Sequence, residues 1–259
     1  MLFHKPGVGR VSKKNRERKY GSGKVVSGGA EMTKFYWILG AVAVLGVGIV
    51  GYSVGSKALS PTVSEPIEMA GLDDPAELMQ VARGVEKGDP NAPITIIEFA
   101  DFQCPACGGF ATQVEPLLYA EFVETGKAKF VYYDFPVVSI HNHAFLAARA
   151  AHCAEDQEKF WPYHDALYRT QPRWSTVQNP TSLFEGYAED LGLNEDEFSG
   201  CLKSDRHADV VSANMQLGFQ LQVQGTPTVM VTKGQGIGRR VTPNLEGIRE
   251  GIALLQSGE

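Results

Sequence analysis

The stretch Phe99-Ala100-Asp101-Phe102-Gln103-Cys104-Pro105-Ala106-Cys107 decides the fold of this chain. The segment that leads into it, Ile94-Thr95-Ile96-Ile97-Glu98-Phe99, is short, apolar and β-branched, which predicts a buried strand. Beyond it, apolar residues recur at helical spacing, namely Val114, Leu117, Leu118 and Phe122. The two cysteines therefore lie where a core strand leads into the start of a helix.

The position of the two cysteines suits disulfide exchange. A helix start offers unpaired N–H groups and the positive end of the helix dipole, and both favour a thiolate, the nucleophile of this reaction. We predict Cys104 as the exposed attacking cysteine and Cys107, one turn further, as the resolving one. Pro105 suits the first helical turn, where its missing N–H costs nothing. The alternative is half of a zinc site, but Cys153 and Cys201 are single and far apart and supply no second pair.

Two features elsewhere in the sequence accompany the cysteine pair. Glu98 lies on the strand that leads to Cys104, where a buried carboxylate can accept the proton that Cys107 must lose; the alternative is a partly exposed carboxylate at a strand end.

Far downstream, Gly225-Thr226-Pro227-Thr228-Val229-Met230-Val231 combines a turn, a proline and a β-rich run. A proline that opens a core strand is unusual, so we expect a cis Thr226–Pro227 bond facing the Cys104 sulfur rather than an ordinary turn proline.

Three segments together resemble the thioredoxin superfamily, and more closely its DsbA-like branch: Glu98-Phe99, Asp101-Phe102-x-Cys104-Pro105-x-Cys107 and Gly225-Thr226-Pro227-Thr228. The resemblance covers about residues 85–257. It implies an α/β thioredoxin fold with a helical insertion over the active-site side, no prosthetic group, and a quinone-linked membrane partner that reoxidises the pair. Ala106 departs from the best-known strongly oxidising members, which carry a histidine between the cysteines, so the resemblance leaves the redox potential open.

The substrate is expected to bind beside the cysteine pair, at Pro105, Ala106, Thr226 and Pro227. Because Pro227 has no N–H, the chain cannot pair there as a normal strand. The Thr226 backbone can then bind an extended substrate by strand addition. A mixed disulfide would form in the groove beside Pro227.

The N-terminal part of the chain differs in character from the rest. Residues 1–34 hold nine lysines and arginines against two acidic residues, a charge of +7, and we expect a disordered head unless Met32 is the true start. Since the whole chain carries −6, the remainder carries −13, which argues against nucleic-acid binding by the body. Residues 35–54 contain no charge, and this length predicts one transmembrane helix; a cleaved signal segment is the alternative.

The predicted topology follows from the order of these segments. Positive charge before the span predicts a cytoplasmic N-terminus, so the catalytic domain should lie outside the inner (cytoplasmic) membrane, in the periplasm or its equivalent. Residues 55–84 are expected to form a linker, and residues 85–259 the thioredoxin-like domain. Within that domain, the helical insertion is expected at about residues 141–222, after a right-handed β-α-β unit with parallel strands.

Cys153 and Cys201 lie on two different predicted helices of the insertion. An even number of cysteines is compatible with an oxidising compartment, which favours a structural disulfide between them; two buried free thiols are the alternative. For the histidines we expect capping or packing roles and no metal site, since no ligand spacing links His141, His143, His152 and His164.

The sequence therefore predicts a membrane-anchored thiol–disulfide oxidoreductase that acts on cysteine-containing secreted or envelope proteins, most plausibly as a disulfide donor. The first alternative is a reductase or isomerase, since the cysteine pair alone does not set the direction of electron flow. The second is a non-catalytic envelope chaperone or docking module. A Cys104→Ala variant separates the classes, because only an oxidoreductase would lose its function.

Overall fold

The computed structural model describes residues 62–234 and 238–257. The predicted basic head and transmembrane helix, residues 1–34 and 35–54, lie outside this part of the chain. Within the described ranges, no helix combines the length and the apolar character needed to cross a membrane.

A five-stranded sheet forms the centre of the described domain. Its strands follow the spatial order β1-β3-β2-β4-β5. Their bounds are β1 Val85–Lys87, β2 Ile94–Ala100, β3 Ala128–Asp134, β4 Thr228–Lys233 and β5 Arg239–Val241. Strands β2 and β3 run parallel, as the sequence predicts, and the other neighbours are antiparallel. Strand β1 was not predicted, because three residues are too few to show an alternating pattern.

The connection from β2 to β3 is helical but interrupted, whereas the sequence predicts one continuous helix to about Glu124. It consists of α2 Pro105–Gln113, α3 Glu115–Leu118 and a π-helical turn, Tyr119–Val123. Pro116 lies at the start of α3 and has no N–H to continue the hydrogen-bond ladder of α2. Of the apolar residues at helical spacing, Leu118 and Phe122 are buried, whereas Leu117 is 55% exposed.

The helical insertion between β3 and β4 consists of α4 Ala144–Glu155, α5 Phe160–Arg169, α6 Gln171–Trp174, α7 Thr181–Asp190, α8 Glu195–Leu202 and α9 Ala208–Gln220. Helix α10, Leu245–Ser257, follows β5 and packs on β4. The pattern Asn194-x-x-Glu197 predicts a helix cap, and the Asn194 side chain does accept the Glu197 N–H at 3.0 Å. The pattern Ser182-x-x-Glu185 predicts another, which is wrong: α7 begins one residue earlier, and Asn179 accepts the Thr181 N–H.

Part of the predicted linker packs against the domain. Helix α1, Pro75–Val81, contacts α9, and its Leu78 side chain is fully buried beside Ala213 and Leu217. Burial of a leucine side chain stabilises the fold by about 1.5–3 kcal/mol. This segment is therefore part of the folded body rather than a free tether.

Helices α4 and α8 are joined by covalent and polar links. Cys153 and Cys201 form a disulfide with a Cα–Cα distance of 5.8 Å. One turn before Cys153, the buried Arg149 guanidinium donates to backbone carbonyls at and beyond the end of α8, namely those of Cys201, Leu202, Ser204 and Arg206, and to that of Val63. Burial lowers the pKa of Arg149 to about 10. These contacts satisfy carbonyls that a helix end leaves open and fix α8 against α4.

A second buried polar network lies at the end of β3. His152 is fully buried, with Nε2 2.7 Å from Asp134 Oδ2 and Nδ1 2.6 Å from Glu155 Oε2. Burial lowers the pKa of His152, but the two carboxylates outweigh it and raise the pKa to about 9. Asn214 donates to Asp134 and also bonds the backbone of Arg83, which ties α9 to the same point. The Asp134 carboxylate thus joins β3 to α4 through His152 and to α9 through Asn214.

Replacing Cys153 and Cys201 by serine should lower the free energy of unfolding. The bridge spans 48 residues, and the loss expected from chain entropy is about 4 kcal/mol. Urea denaturation of the full chain measures it. Each single serine variant is the control, because removal of either cysteine opens the same bridge and should give nearly the whole loss. Additive single losses, or an unchanged midpoint, would contradict this prediction.

Stability should fall as the pH rises through the folded pKa of His152. Since that pKa is raised to about 9 from 6.5, its contribution is complete below about pH 6.5 and disappears above about pH 9. The full difference is on the order of 3 kcal/mol. Unfolding free energies measured between pH 6 and 10 should show this decline in the wild type and a flatter profile in His152→Gln. The same slope in both proteins would argue against a charged His152.

Candidate active site

The loop between β2 and α2 is held by the buried carboxylate of Asp101. Its Oδ1 accepts the Gln103 N–H at 2.7 Å. Its Oδ2 accepts the Val137 N–H at 2.8 Å and lies 2.7 Å from His141 Nδ1. The Asp101 carbonyl accepts the Cys104 N–H at 3.0 Å. One carboxylate therefore shapes the turn and anchors it to the segment after β3.

Gln171 fixes the same loop from the helical insertion. Its Nε2 donates to the carbonyls of Phe102 and Cys104, at 2.6 and 2.9 Å. The amide also packs against α2, where a Cβ on Gly108 would approach Gln171 Oε1 to 3.0 Å. The side chain of Gln171 is buried, so these bonds are shielded from water. Sequence reasoning missed this role of Gln171, because a single glutamine matches no functional pattern.

Cys104 is the N-cap of α2, with Pro105 at the first helical position. Its side chain is only 9% exposed, which corrects the prediction of an exposed attacker: the surrounding loops cover most of it. The pKa of Cys104 is lowered to about 5, chiefly by a hydrogen bond from the Cys107 thiol. Burial opposes this, and the Thr226 hydroxyl and the N–H groups of Cys107 and Ala106 support it. The thiolate at Cys104 is therefore stable at neutral pH.

Cys107 has the opposite character. It is fully buried, and burial raises its pKa well above the ordinary value, with further contributions from Cys104 and Glu98. Both cysteines are free thiols in this structure. One helical turn thus holds a readily ionised sulfur at its start and a protonated one inside the core.

The Thr226–Pro227 peptide bond is cis, and its loop faces the cysteine pair. The Cys104 sulfur lies 3.4 Å from the Thr226 carbonyl oxygen. Thr226 and Pro227 are half-buried, while Pro105 and Ala106, which follow Cys104 in the chain, are exposed. The structure therefore brings together all four residues predicted to contact a substrate around Cys104.

Glu98 is buried on β2, where it pairs with Tyr132 of β3 and Val229 of β4. Burial raises its pKa well above the ordinary value, and the neighbouring Glu115 carboxyl adds to this. The sequence did not indicate Glu115, whose position at the start of α3 depends on the helix break at Val114. The structure thus places two carboxyl groups, rather than one, beneath the cysteine pair.

The histidines for which the sequence predicts capping or packing roles have hydrogen-bond partners in the structure. His141 bonds Asp101, His143 Nε2 lies 2.7 Å from the Val177 carbonyl, and His164 Nδ1 lies 2.9 Å from Asp165. Potential ligand atoms of three other residues, Asp156, Cys201 and His207, lie within 4.8 Å of one another. The sulfur of Cys201 is bonded to Cys153 and is not available as a thiolate ligand.

The sequence of the chain matches a known protein family and several known proteins. The thioredoxin family model matches residues 81–244. The chain is 26% identical to the probable disulfide bond formation protein D of Bacillus cereus over 212 residues, covering 80% of this chain and 94% of that protein. It is 34% identical to the Na(+)/H(+) antiporter NhaA 3 of Salinispora tropica over 145 residues, which are 56% of this chain. The chain matches only 21% of the length of that antiporter.

A solved structure supports the same fold. The oxidised BdbD of Bacillus subtilis superposes with a TM-score of 0.59 at 23% identity, over 69% of this chain and 98% of that one. The predicted α/β thioredoxin-like fold with a helical insertion is therefore confirmed for the described domain.

Thr226→Val should raise the pKa of Cys104 from about 5 to roughly 6, because the hydroxyl that donates to the thiolate is lost. The rate of iodoacetamide alkylation of the reduced protein against pH gives the midpoint. Thr228→Val is the matched control, since the Thr228 hydroxyl donates to the Gly225 carbonyl and not to sulfur. A midpoint that moves equally in both variants, or in neither, would refute the assignment.

Proposed function

The chain belongs to the thioredoxin family, and from this premise we propose that it is a protein-disulfide oxidoreductase whose redox pair is Cys104 and Cys107. The observation that carries the proposal is the contrast between the two sulfurs within one helical turn. Cys104 is 9% exposed and has a pKa of about 5, whereas Cys107 is fully buried with a raised pKa. A relative of similar length is named for disulfide bond formation.

The direction we propose is donation of disulfides. A substrate thiolate attacks Cys104 of the Cys104–Cys107 disulfide, the bond between them breaks, and Cys107 leaves and takes a proton. A second substrate thiolate then attacks the substrate sulfur of the mixed disulfide, and Cys104 leaves as a thiolate. Two substrate thiols are oxidised and the enzyme pair is reduced. A stable Cys104 thiolate favours this direction because it stabilises the reduced form. Ala106 supplies a backbone N–H to the thiolate in place of an imidazole.

The substrate seat in this proposal is the groove between α2 and the loop before β4. Pro105 and Ala106 form one side and Thr226 and Pro227 the other, and an extended peptide adds to the Thr226 backbone. This arrangement recognises main chain rather than side chains, so it suits many cysteine-containing proteins.

The proposal extends to the placement of the protein. Residues 35–54 form an anchor in the inner membrane, residues 1–34 a cytoplasmic head, residues 55–84 the connection, and residues 85–259 the extracytoplasmic domain. The uncharged 20-residue run and the basic residues before it support this. The Cys153–Cys201 bridge also suits an oxidising compartment. The partner that reoxidises the pair would be a quinone-linked membrane protein.

Trapping of mixed disulfides between Cys104 and substrate proteins tests this function in the full chain. In Cys107→Ala, the mixed disulfide on Cys104 cannot be resolved by its partner, so we expect disulfide-linked adducts with envelope proteins on non-reducing gels. Cys104→Ala is the matched control and should give none. Loss of activity on a reduced secreted protein should accompany both variants. Full function in Cys104→Ala would instead indicate a docking module.

The equilibrium potential of the pair in glutathione buffers decides the direction. A value near roughly −120 mV, as in DsbA, supports donation. A value near roughly −270 mV, as in thioredoxin, would reverse it and make the protein a reductase.

A further inference from the structure

Two buried carboxyl groups lie beneath the cysteine pair, and the sequence predicts a role in proton transfer for Glu98 alone. Glu98 and Glu115 are each 1% exposed. Glu98 Oε2 and Glu115 Oε1 have no hydrogen-bond partner among the described groups. An ionised carboxylate only accepts hydrogen bonds, so two facing carboxylates leave such oxygens unsatisfied unless one group carries a proton. The pair is therefore built to hold and exchange a proton.

Glu115 connects this pair to the surface. It lines a surface cavity of about 420 Å³ together with Lys87, Tyr119, Asp165, Tyr168 and Arg169. The Tyr119 hydroxyl donates to Glu115 Oε2, and His164 Nε2, itself without a partner, lies 3.7 Å from Oε1. His164 Nδ1 bonds Asp165, whose side chain is half-exposed. Polar groups thus continue from the buried carboxyls to water.

We propose that Glu115 is the proton exit of the active site: it passes the Cys107 proton between Glu98 and the water of this cavity, which Ala111 and Thr112 of α2 also line. The proposal deepens the oxidoreductase function and rests on it. Its physical reason is that Cys107 and Glu98 are buried and do not line this cavity, whereas Glu115, although equally buried, does line it. A bound substrate would also cover the Cys104 side of the pair.

The proton balance is clearest during reoxidation by a small disulfide. The Cys104 thiolate first attacks the disulfide, forms a mixed disulfide and releases one thiolate. Cys107 then loses its proton to Glu98, its sulfur bonds to Cys104, and the second thiolate leaves. Glu98 passes the proton to Glu115 and so to the cavity, and the pair is ready for another turnover. Only the second step moves a proton through the core.

The titratable groups that face the two carboxyls come from every element around them. They are Cys104 and Cys107 of α2, Tyr119 of the π-helical turn, Tyr132 of β3, and His164, Asp165 and Tyr168 of α5. The tyrosines that line this region have raised pKa values, chiefly through burial, so they stay neutral and do not replace a carboxyl as the acceptor.

The test uses the reduced full chain and oxidised glutathione, with acid-quenched samples analysed by mass spectrometry. In Glu115→Gln, the amide oxygen still accepts the Tyr119 hydroxyl, so we expect retained folding and an unchanged rate of mixed-disulfide formation. Closure by Cys107 should slow roughly tenfold at pH 7, less than the 10²–10⁴ that loss of a general acid or base removes. Glu124→Gln is the control, because Glu124 lines the same cavity but is exposed.

A second variant separates proton transfer from structure. In Glu115→Ala, formate can enter the cavity and act as the missing carboxyl, so closure should recover as formate is added, while Glu124→Gln should not respond. Equal rates of closure in Glu115→Gln and the wild type would overturn the proposal. So would slowing of both steps together, or slowing that formate does not relieve. If the wild type formed no mixed disulfide at Cys104, the oxidoreductase function itself would fail instead.

Discussion

The site depends on the turn between β2 and α2, and that turn depends on the buried carboxylate of Asp101. A short loop that leaves a core strand has backbone groups that must find partners away from water. Asp101 satisfies two N–H groups and bonds His141, and Gln171 satisfies two carbonyls of the same loop. With the loop fixed, Cys104 has one position, at the N-cap of α2 and 3.4 Å from the Thr226 carbonyl. Loss of either polar side chain would leave buried groups unpaired at about 1–3 kcal/mol each.

The turn also separates the environments of two chemically identical thiols. The Cys107 thiol, the Thr226 hydroxyl and helix-start N–H groups stabilise negative charge on Cys104, and burial only partly offsets them. Cys107, three residues later in the chain, lies in the core. There burial raises its pKa by more than its one favourable backbone hydrogen bond lowers it. The spacing is therefore what makes the pair asymmetric: a shorter interval would leave both sulfurs at the helix start. Cys107 must therefore gain and lose a proton inside the core during the reaction, whereas Cys104 is already a thiolate at neutral pH.

Local patterns in the sequence were enough to predict β2, the start of α2, the parallel β2–β3 pair and the cap at Asn194, because each depends on neighbours in the chain. The cis bond before Pro227 and the Cys153–Cys201 bridge also lie where the sequence analysis expects them. Gln171 could not be found in this way, since its partners lie 67–69 residues away in the chain. Glu115 could not be found either, because its partner Glu98 lies on a different element, strand β2.

The helical insertion is a structural part of the site rather than a cover added to it. Gln171 reaches the active-site loop from α6, and His164 of α5 lies 3.7 Å from the buried Glu115 carboxyl. Helix α5 packs on both α2 and α4, and α4 is joined to α8 by the disulfide and by Arg149. A displacement of α8 would therefore reach α2 through packed helices and not through a flexible loop. Close-packed interiors transmit small shifts. The Cys153–Cys201 bridge, which joins residues 48 positions apart, therefore helps to hold the sulfurs of Cys104 and Cys107 in place. It does so although neither Cys153 nor Cys201 contacts them.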